Sequence, residues 1–182
     1  MAQVKGKFIT MTCALLEHRP DSQAEAQQRV KNLTGKEWNE LEPEGWYDTT
    51  VLDAVLRAAE VQSGTIIGQA VSREIGHAVY PTIEKTVGLP KSLKTPLDLV
   101  QFEGEGYLQN HRGSNIVPRK FTQVEPGHIV VEAVMPGYGC TFIEGVYEGI
   151  LQMSGAKEYK VRQTHCTHMG DPVCEFDIYW KD

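Results

Sequence analysis

The sequence has no surplus of basic residues, no long apolar run and no secretion signal, and each absence excludes a class of protein. Its 18 Lys and Arg against 24 Asp and Glu give a formal charge of −6. We therefore expect no nucleic-acid partner, because a protein needs an excess of positive charge to neutralise the phosphates of a nucleic-acid backbone. No apolar stretch approaches the roughly 20 residues that cross a bilayer. The N-terminus leads into only a short apolar stretch without a cleavage site, so we expect a cytoplasmic protein with no membrane partner.

Known catalytic motifs are also missing. The chain has no nucleophile elbow, phosphate-binding loop, dinucleotide fingerprint or His-Glu-x-x-His zinc motif. The carboxylates of Glu103 and Glu105 are two positions apart on a predicted helix and point in different directions, so they do not form a catalytic pair. The sequence therefore predicts that the protein is not an enzyme.

The length and composition suit one globular domain. With 182 residues, 41% of them hydrophobic, the chain can bury a sizeable core, and we predict a single domain over 1–182. Apolar residues at helical spacing predict a helical part over about 1–113, with a break at Ser63-Gly64. The remaining part, about 114–182, has the character of a sheet.

Two-residue alternation marks the sheet part. Cys174, Phe176, Ile178 and Trp180 alternate with polar residues, and 129–134 is a second clear strand. Between the strand pairs lies a predicted helix over 141–153, in which Gly145 and Gly149 are four apart and would let another backbone approach closely. The fold class predicted is α+β, with N-terminal helices followed by a strand–strand–helix–strand–strand antiparallel sheet unit.

The cysteines cluster towards the end of the chain. Of the four, Cys13 stands alone, whereas Cys140, Cys166 and Cys174 fall within the last 43 residues. A hairpin between Cys166 and Cys174 would bring their sulfurs together, and thiolates suit zinc. The fourth ligand would be His165, His168, Gln163 or water. The alternative is that the three thiols are small buried core residues.

A resemblance to a known family strengthens the metal interpretation. The segment from Cys166 to Phe176, with its Gly-Asp pair between two cysteines, resembles the C-terminal signature of the 4-vinyl reductase domain. The segment Phe142 to Leu151 is similar to that family's glycine-containing helix. The resemblance covers roughly Ile129 to Trp180 well and the rest in outline.

This resemblance implies a sensor rather than a catalyst. The family includes the sensory domains of phenol- and xylene-responsive transcription activators, which bind zinc through three cysteines and a glutamate beside an aromatic-effector pocket. Cys140, Cys166 and Cys174 look like counterparts of those cysteines, and the glutamate position falls on Gln163, a poorer zinc ligand. The implied cofactor is a structural zinc ion.

A second resemblance concerns the whole chain. The order of helices and strands resembles the haem-based nitric-oxide and oxygen-binding domains, which use a proximal histidine on a helix and a Tyr-x-Ser-x-Arg clamp for the haem propionates. Here the clamp region, Ala133 to Gly139, lacks the clamp, and the helix around Leu97 to Glu103 has no histidine. Haem or another tetrapyrrole therefore stands as the alternative cofactor, with His77 or His111 as the ligand.

Several further side chains are candidates for a ligand pocket. His77 lies on an otherwise apolar helix and is either a core histidine or a hydrogen-bonding group for a ligand, while Tyr107 and His111 are expected at the surface or an edge. The ligand-binding residues predicted are His77, Trp46, Tyr47, Phe102, Tyr107, Met135 and Tyr138.

Together these features predict a noncatalytic sensor or binding protein for a small hydrophobic molecule, with aromatic compounds among the candidates. A homodimer and a signalling partner protein are expected by analogy with the family. The alternatives are a haem or tetrapyrrole sensor or accessory protein and, by analogy of fold, a structural or trafficking module with a flat apolar dimer face.

Overall fold

The computed structural model describes residues 1–181, in which a helical layer precedes an antiparallel sheet. In chain order the elements are β1 (Gln3–Lys5), α1 (Gly6–Ala14), α2 (Pro20–Thr34), β2 (Trp46–Asp48), α3 (Thr49–Leu56), α4 (Ala58–Thr86), α5 (Pro96–Asn110), β3 (His111–Arg112), β4 (Lys120–Glu125), β5 (His128–Ala133), α6 (Cys140–Met153), β6 (Glu158–His165) and β7 (Cys174–Lys181). Single 3₁₀ turns lie at Trp38–Glu40 and Thr167–Met169. The predicted α+β class and the strand–strand–helix–strand–strand unit are confirmed.

Local capping explains where the helices begin. Asp48 accepts a hydrogen bond from the Thr50 backbone N–H at 2.9 Å, which starts α3. Thr95 and Asp98 form a reciprocal capping box around Pro96 at the start of α5. The break predicted at Gly64 is found as a kink inside α4, where Gly64 has φ of 76°. Among the helices described, none has the length and apolarity that a bilayer crossing requires.

The larger sheet has the strand order β4-β5-β7-β6, with every neighbouring pair antiparallel. Its inner face is apolar because Val131 pairs with Phe176 and Ile129 with Ile178, and all four side chains are fully buried. Helix α6 covers this face, and the ring of Tyr147 meets that of Phe176 edge-on, with centroids 5.7 Å apart. The alternation seen in the sequence therefore marks the side of the sheet that faces α6.

Helices α4 and α6 cross at very short distance through glycines. A Cβ atom added to Gly145 would lie 2.0 Å from the Arg73 carbonyl oxygen, and one added to Gly149 would lie 2.1 Å from that of His77. On the facing helix, a Cβ at Gly76 would lie 2.1 Å from the Phe142 carbonyl oxygen. The close approach predicted for Gly145 and Gly149 is confirmed, with α4 as the partner.

A second, small sheet places the end of α5 next to the N-terminus. Strand β1 lies between β2 and β3, and the buried Val4 pairs with Tyr47 on one side and His111 on the other. The sequence did not predict this sheet, because its strands are two or three residues long and pair only over long chain separations. Its consequence is that His111 is held in the interior.

Candidate functional site

A buried ion pair connects α5 to the segment before β4. The side chains of Glu103 and Arg119 are 7% and 1% exposed, and Nη2 of Arg119 donates to the carboxylate at 2.8 Å. On α6, the Tyr147 hydroxyl donates to the same carboxylate at 3.1 Å. Burial lowers the pKa of Arg119, but the Glu103 carboxylate, together with Tyr147 and Tyr138, outweighs that effect and raises the pKa. The interior therefore contains a charged cluster that joins three parts of the chain.

His111 lies beside this cluster as a neutral imidazole. It is 8% exposed, and burial lowers its pKa to about 4. Nδ1 is 3.0 Å from the Tyr107 carbonyl oxygen, which can only accept, so Nδ1 carries the ring proton. Nε2 then holds a lone pair, and the Tyr138 hydroxyl donates to it over 3.2 Å. The hydrogen bonds thus define one tautomer, with its basic nitrogen directed into the interior.

Two polar groups of the same cluster have no hydrogen-bond partner among the described residues: the Tyr107 hydroxyl and Nη1 of Arg119. Nε of Arg119 is 2.7 Å from Glu103 but is not aligned for a hydrogen bond. The guanidinium stacks over the Tyr107 ring, 4.3 Å from its centroid. Buried donors without partners are costly. Their presence in one place marks the cluster as a candidate site for a polar group of a ligand.

The predicted pocket residues divide between this interior and the surface. Tyr107 and Tyr138 belong to the cluster, so the expectation that Tyr107 and His111 lie at the surface or an edge is wrong. Met135 is buried between β5 and α6, and Phe102 is half-buried on α5.

The other predicted residues lie elsewhere. Trp46 is in the small sheet, with the Arg112 guanidinium 4.5 Å from its ring, and the Tyr47 hydroxyl accepts from the Glu42 backbone N–H at 3.0 Å. His77 is half-buried on α4 at the crossing with α6.

Sequence reasoning did not identify Glu103, Arg119 and Tyr147 as a cluster. One signal was present, because Glu103 and Tyr107 are four residues apart on one face of α5 and His111 follows four residues later, just past the end of that helix. For Arg119 there was no comparable signal, since the segment before β4 has no periodicity and its partner lies 16 residues away.

The cysteine residues do come together, at the start of α6 and the hairpin between β6 and β7. Sγ of Cys140 is 3.1 Å from that of Cys174 and 3.9 Å from that of Cys166, and 4.0 Å from Nδ1 of His168. The hydrogen bond between Cys140 and Cys174 raises the pKa of Cys140 and lowers that of Cys174. All four cysteines are free thiols.

The other predicted metal ligands are engaged differently. The Gln163 amide donates to the His165 carbonyl at 3.0 Å. Nδ1 of His165 lies 3.1 Å from a Glu175 carboxylate oxygen. The Gln163 side chain also hydrogen-bonds to Cys140. The imidazole that lies with the sulfurs of Cys140 and Cys166 is that of His168, not that of His165.

Next to the cysteines, a polar cleft of about 310 Å³ lies between the kinked start of α4 and the start of α6. Its walls are mostly hydrophilic and come from three helices and the hairpin: Asp53, Leu56, Arg57, Glu60, Thr65, Gln69, Ser72, Gly137, Gly139, Thr141 and His168. The cleft and the interior cluster lie on opposite sides of the segment before α6, because Tyr138 is buried while Gly137 and Gly139 line the cleft.

Comparison with known proteins gives a fold but no sequence family. No family profile and no curated protein matches the chain. Among solved structures, it is similar to an H-NOX protein from S. oneidensis in the Fe(II)NO state, at 12% identity, 98% and 99% coverage of the two chains and a TM-score of 0.76. An oxygen-binding H-NOX domain related to soluble guanylate cyclases, in its oxygen complex, is similar at 16% identity, 97% and 93% coverage and a TM-score of 0.72.

A further similar structure is an unliganded Fe(II) mutant of the H-NOX protein from K. algicida, at 13% identity, 98% and 97% coverage and a TM-score of 0.70. These identities establish the fold alone. The resemblance to the haem-based gas-binding domains is therefore supported at the level of architecture, whereas the resemblance to the 4-vinyl reductase domain finds no support.

These comparisons also correct the predicted cofactor. Zinc was expected, but the structures that share the fold are of haem-type gas-binding domains. The prediction of zinc as the cofactor is therefore wrong.

Proposed function

We propose that this chain is a noncatalytic sensor domain that takes haem at the interior cluster, with His111 as the iron ligand. The observation that supports it most is the tautomer of His111. A histidine that ligates a metal typically donates its other ring N–H to a backbone carbonyl, which orients the ring and directs the lone pair. His111 has this arrangement, with Nδ1 on the Tyr107 carbonyl and Nε2 directed inward.

The remaining donors suit the periphery of haem. In place of the missing Tyr-x-Ser-x-Arg clamp, the interior has two polar atoms without a hydrogen-bond partner, Nη1 of Arg119 and the hydroxyl of Tyr107. Arginine and tyrosine are natural partners for carboxylates such as propionates. The charge of Glu103 already pairs with one side of Arg119, so Nη1 is the atom left for a ligand.

Haem can bind at His111 only if side chains in the interior move to make space for it. Tyr138 hydrogen-bonds to Nε2 of His111, and its ring meets that of Phe142 edge-on with centroids 5.7 Å apart. Binding at Nε2 requires Tyr138 to leave this position. Haem, when bound, supplies an iron atom that can take a diatomic gas such as NO or O₂. Displacement of Tyr138 would then connect occupancy to the segment before α6.

The rest of the proposed function follows from the same reasoning. The similar structures are binding domains by name, which supports a noncatalytic role. We infer that residues 1–182 form one domain and that its signal passes to a partner protein or a second copy.

The test is a titration of the full chain with haem, followed by visible absorption. A Soret band is expected for the wild type and for His18→Ala, a control on an exposed histidine, but not for His111→Ala. Retention of the band in His111→Ala would contradict the proposal.

A further inference from the structure

Three thiols meet where the start of α6 faces the hairpin between β6 and β7. Sγ of Cys140 lies 3.1 Å from Sγ of Cys174 and 3.9 Å from Sγ of Cys166. Because Cys140 and Cys166 are 26 residues apart in the chain, only the tertiary fold brings them together. A disulfide bond is about 2.05 Å long, so the sulfurs of either pair would have to approach by only about 1–2 Å to be joined.

The three thiols differ in their access to solvent. Cys140 and Cys174 are 4% and 0% exposed, whereas Cys166 is half-buried and precedes the 3₁₀ turn of the hairpin. The Asp171 carboxylate accepts a hydrogen bond from the Cys166 backbone N–H at 2.8 Å, which keeps this residue beside Cys140. Since a thiol is oxidised where it can be reached, a dissolved oxidant meets Cys166 first.

Cys174 holds the second thiol in place from the buried side. Its sulfur is 3.1 Å from that of Cys140 and accepts a hydrogen bond from the Thr167 backbone N–H at 3.3 Å, with the Thr167 hydroxyl also at 3.3 Å. These contacts fix the Cys174 sulfur within the hairpin. Cys140 therefore lies between a buried sulfur that orients it and an accessible sulfur with which it can react.

We propose that Cys166 and Cys140 form a peroxide-sensitive thiol pair, which oxidation joins in a reversible disulfide. The Cys166 sulfur attacks one oxygen of hydrogen peroxide, the O–O bond breaks, and the departing oxygen leaves as water with the thiol proton, so that Cys166 becomes a sulfenic acid. The Cys140 sulfur then attacks the Cys166 sulfur, the S–O bond breaks, and a second water leaves with the Cys140 proton. Two thiols lose two electrons, and one peroxide is reduced to two waters.

The disulfide would connect the start of α6 to the hairpin of the larger sheet. A dithiol such as dithiothreitol would reverse it by thiol–disulfide exchange. This site is separate from the interior cluster and does not depend on haem.

The experiment treats the reduced, haem-free full chain with a small excess of hydrogen peroxide after removal of metals with EDTA. Thiol titration of the denatured product should find two of the four thiols of the chain lost, and the intact mass should fall by that of two hydrogen atoms. Peptide mapping without reduction should find Cys140 linked to Cys166. Dithiothreitol should restore all four thiols.

Two variants separate the roles of the two cysteines, and a third is the control. Cys166→Ser should lose its remaining thiols at least about tenfold more slowly than the wild type. Cys140→Ser should stop at the sulfenic acid of Cys166, which dimedone traps. Cys13→Ala removes a fully buried thiol in α1 and should form the disulfide at the wild-type rate.

Folding of each variant is checked by circular dichroism. Because Cys166 is half-buried, Cys166→Ser decides the question if Cys140→Ser does not fold. The proposal is overturned if the wild type keeps four thiols, if the disulfide joins any other pair, or if folded Cys166→Ser is oxidised as fast as the wild type.

Discussion

The hydroxyl of Tyr138 donates a hydrogen bond to Nε2 of His111 across 3.2 Å, and this contact occupies the atom that a metal would take. It is formed between the segment before α6 and the end of α5, two parts of the chain that a ligand in the interior would separate. If the proposed function holds, the same residues contribute both to the stability of the protein without haem and to its haem affinity. We therefore expect one substitution at this contact to lower the stability of the protein and to raise its haem affinity.

Removing Tyr138 should favour haem. In Tyr138→Ala neither the hydrogen bond nor the buried ring has to be displaced, so we expect haem affinity to rise by about tenfold or more in an absorption titration. Tyr138→Phe frees Nε2 without opening volume and should give a smaller increase. Tyr179→Ala, on the outer face of the sheet, is the control. Weaker haem binding by Tyr138→Ala would show that Tyr138 belongs to the site rather than blocking it.

The buried ion pair should be sensitive to the loss of one partner. Glu103→Gln leaves the Arg119 guanidinium in the interior without its counter-charge, and we expect the free energy of unfolding to fall by about 3–5 kcal/mol. Chemical denaturation provides the measurement. Glu105→Gln, two positions along α5 and exposed, should change stability by less than about 0.5 kcal/mol. If Glu103→Gln and Glu105→Gln lower the free energy of unfolding equally, the ion pair of Glu103 and Arg119 does not stabilise the fold as expected.

The crossing of α4 and α6 should not tolerate a methyl group. A Cβ at Gly145 would lie 2.0 Å from the backbone oxygen of Arg73, so Gly145→Ala must push the helices apart, at a cost of about 1–3 kcal/mol or more. Gly139→Ala is the matched control, because its φ is −69° and no heavy atom lies within 4 Å of the added Cβ. A melting temperature that is the same in both variants would contradict the close crossing.

Acid should destabilise the protein through His111. Its pKa is about 4 in the folded chain against 6.5 for the free group, so the unfolded chain binds more protons between these values. Stability from this residue is complete above about pH 6.5 and is lost as pH falls towards 4, by about 3 kcal/mol in all. His111→Asn should remove this part of the pH dependence between pH 7.5 and 4.5. An unchanged slope in the variant would place the titration elsewhere.

Chelators should have little effect on the protein. Because the structures that share the fold point away from zinc as the cofactor, treatment with EDTA followed by desalting should leave the melting temperature within about 1 °C. Differential scanning calorimetry before and after treatment is sufficient. A drop of several degrees, restored by zinc, would reinstate the metal interpretation.

Much of the fold could be predicted because its signals are local. The alternation along β7, the apolar faces of α3 and α6, and the paired glycines Gly145 and Gly149 each express one element's packing in its own sequence. The small sheet could not be predicted, since β1, β2 and β3 are too short to show a period. Only their long-range pairing defines them.

The candidate site was less accessible to sequence reasoning for a related reason. The cysteines could be grouped because a hairpin joins two of them, but their chemistry depended on distances that spacing does not give. His111 follows the polar end of α5 and has the sequence context of a surface residue. Its burial results from pairing with Val4 across more than 100 residues of chain. Long-range contacts of this kind leave no local pattern.

The most direct test is the iron and zinc content of the untagged full chain after incubation with haem and gel filtration, read together with its absorption spectrum. The account predicts about one iron per chain with a Soret band, and no zinc. Zinc without iron, or no iron retained after haem is added, would contradict the proposed haem site at His111.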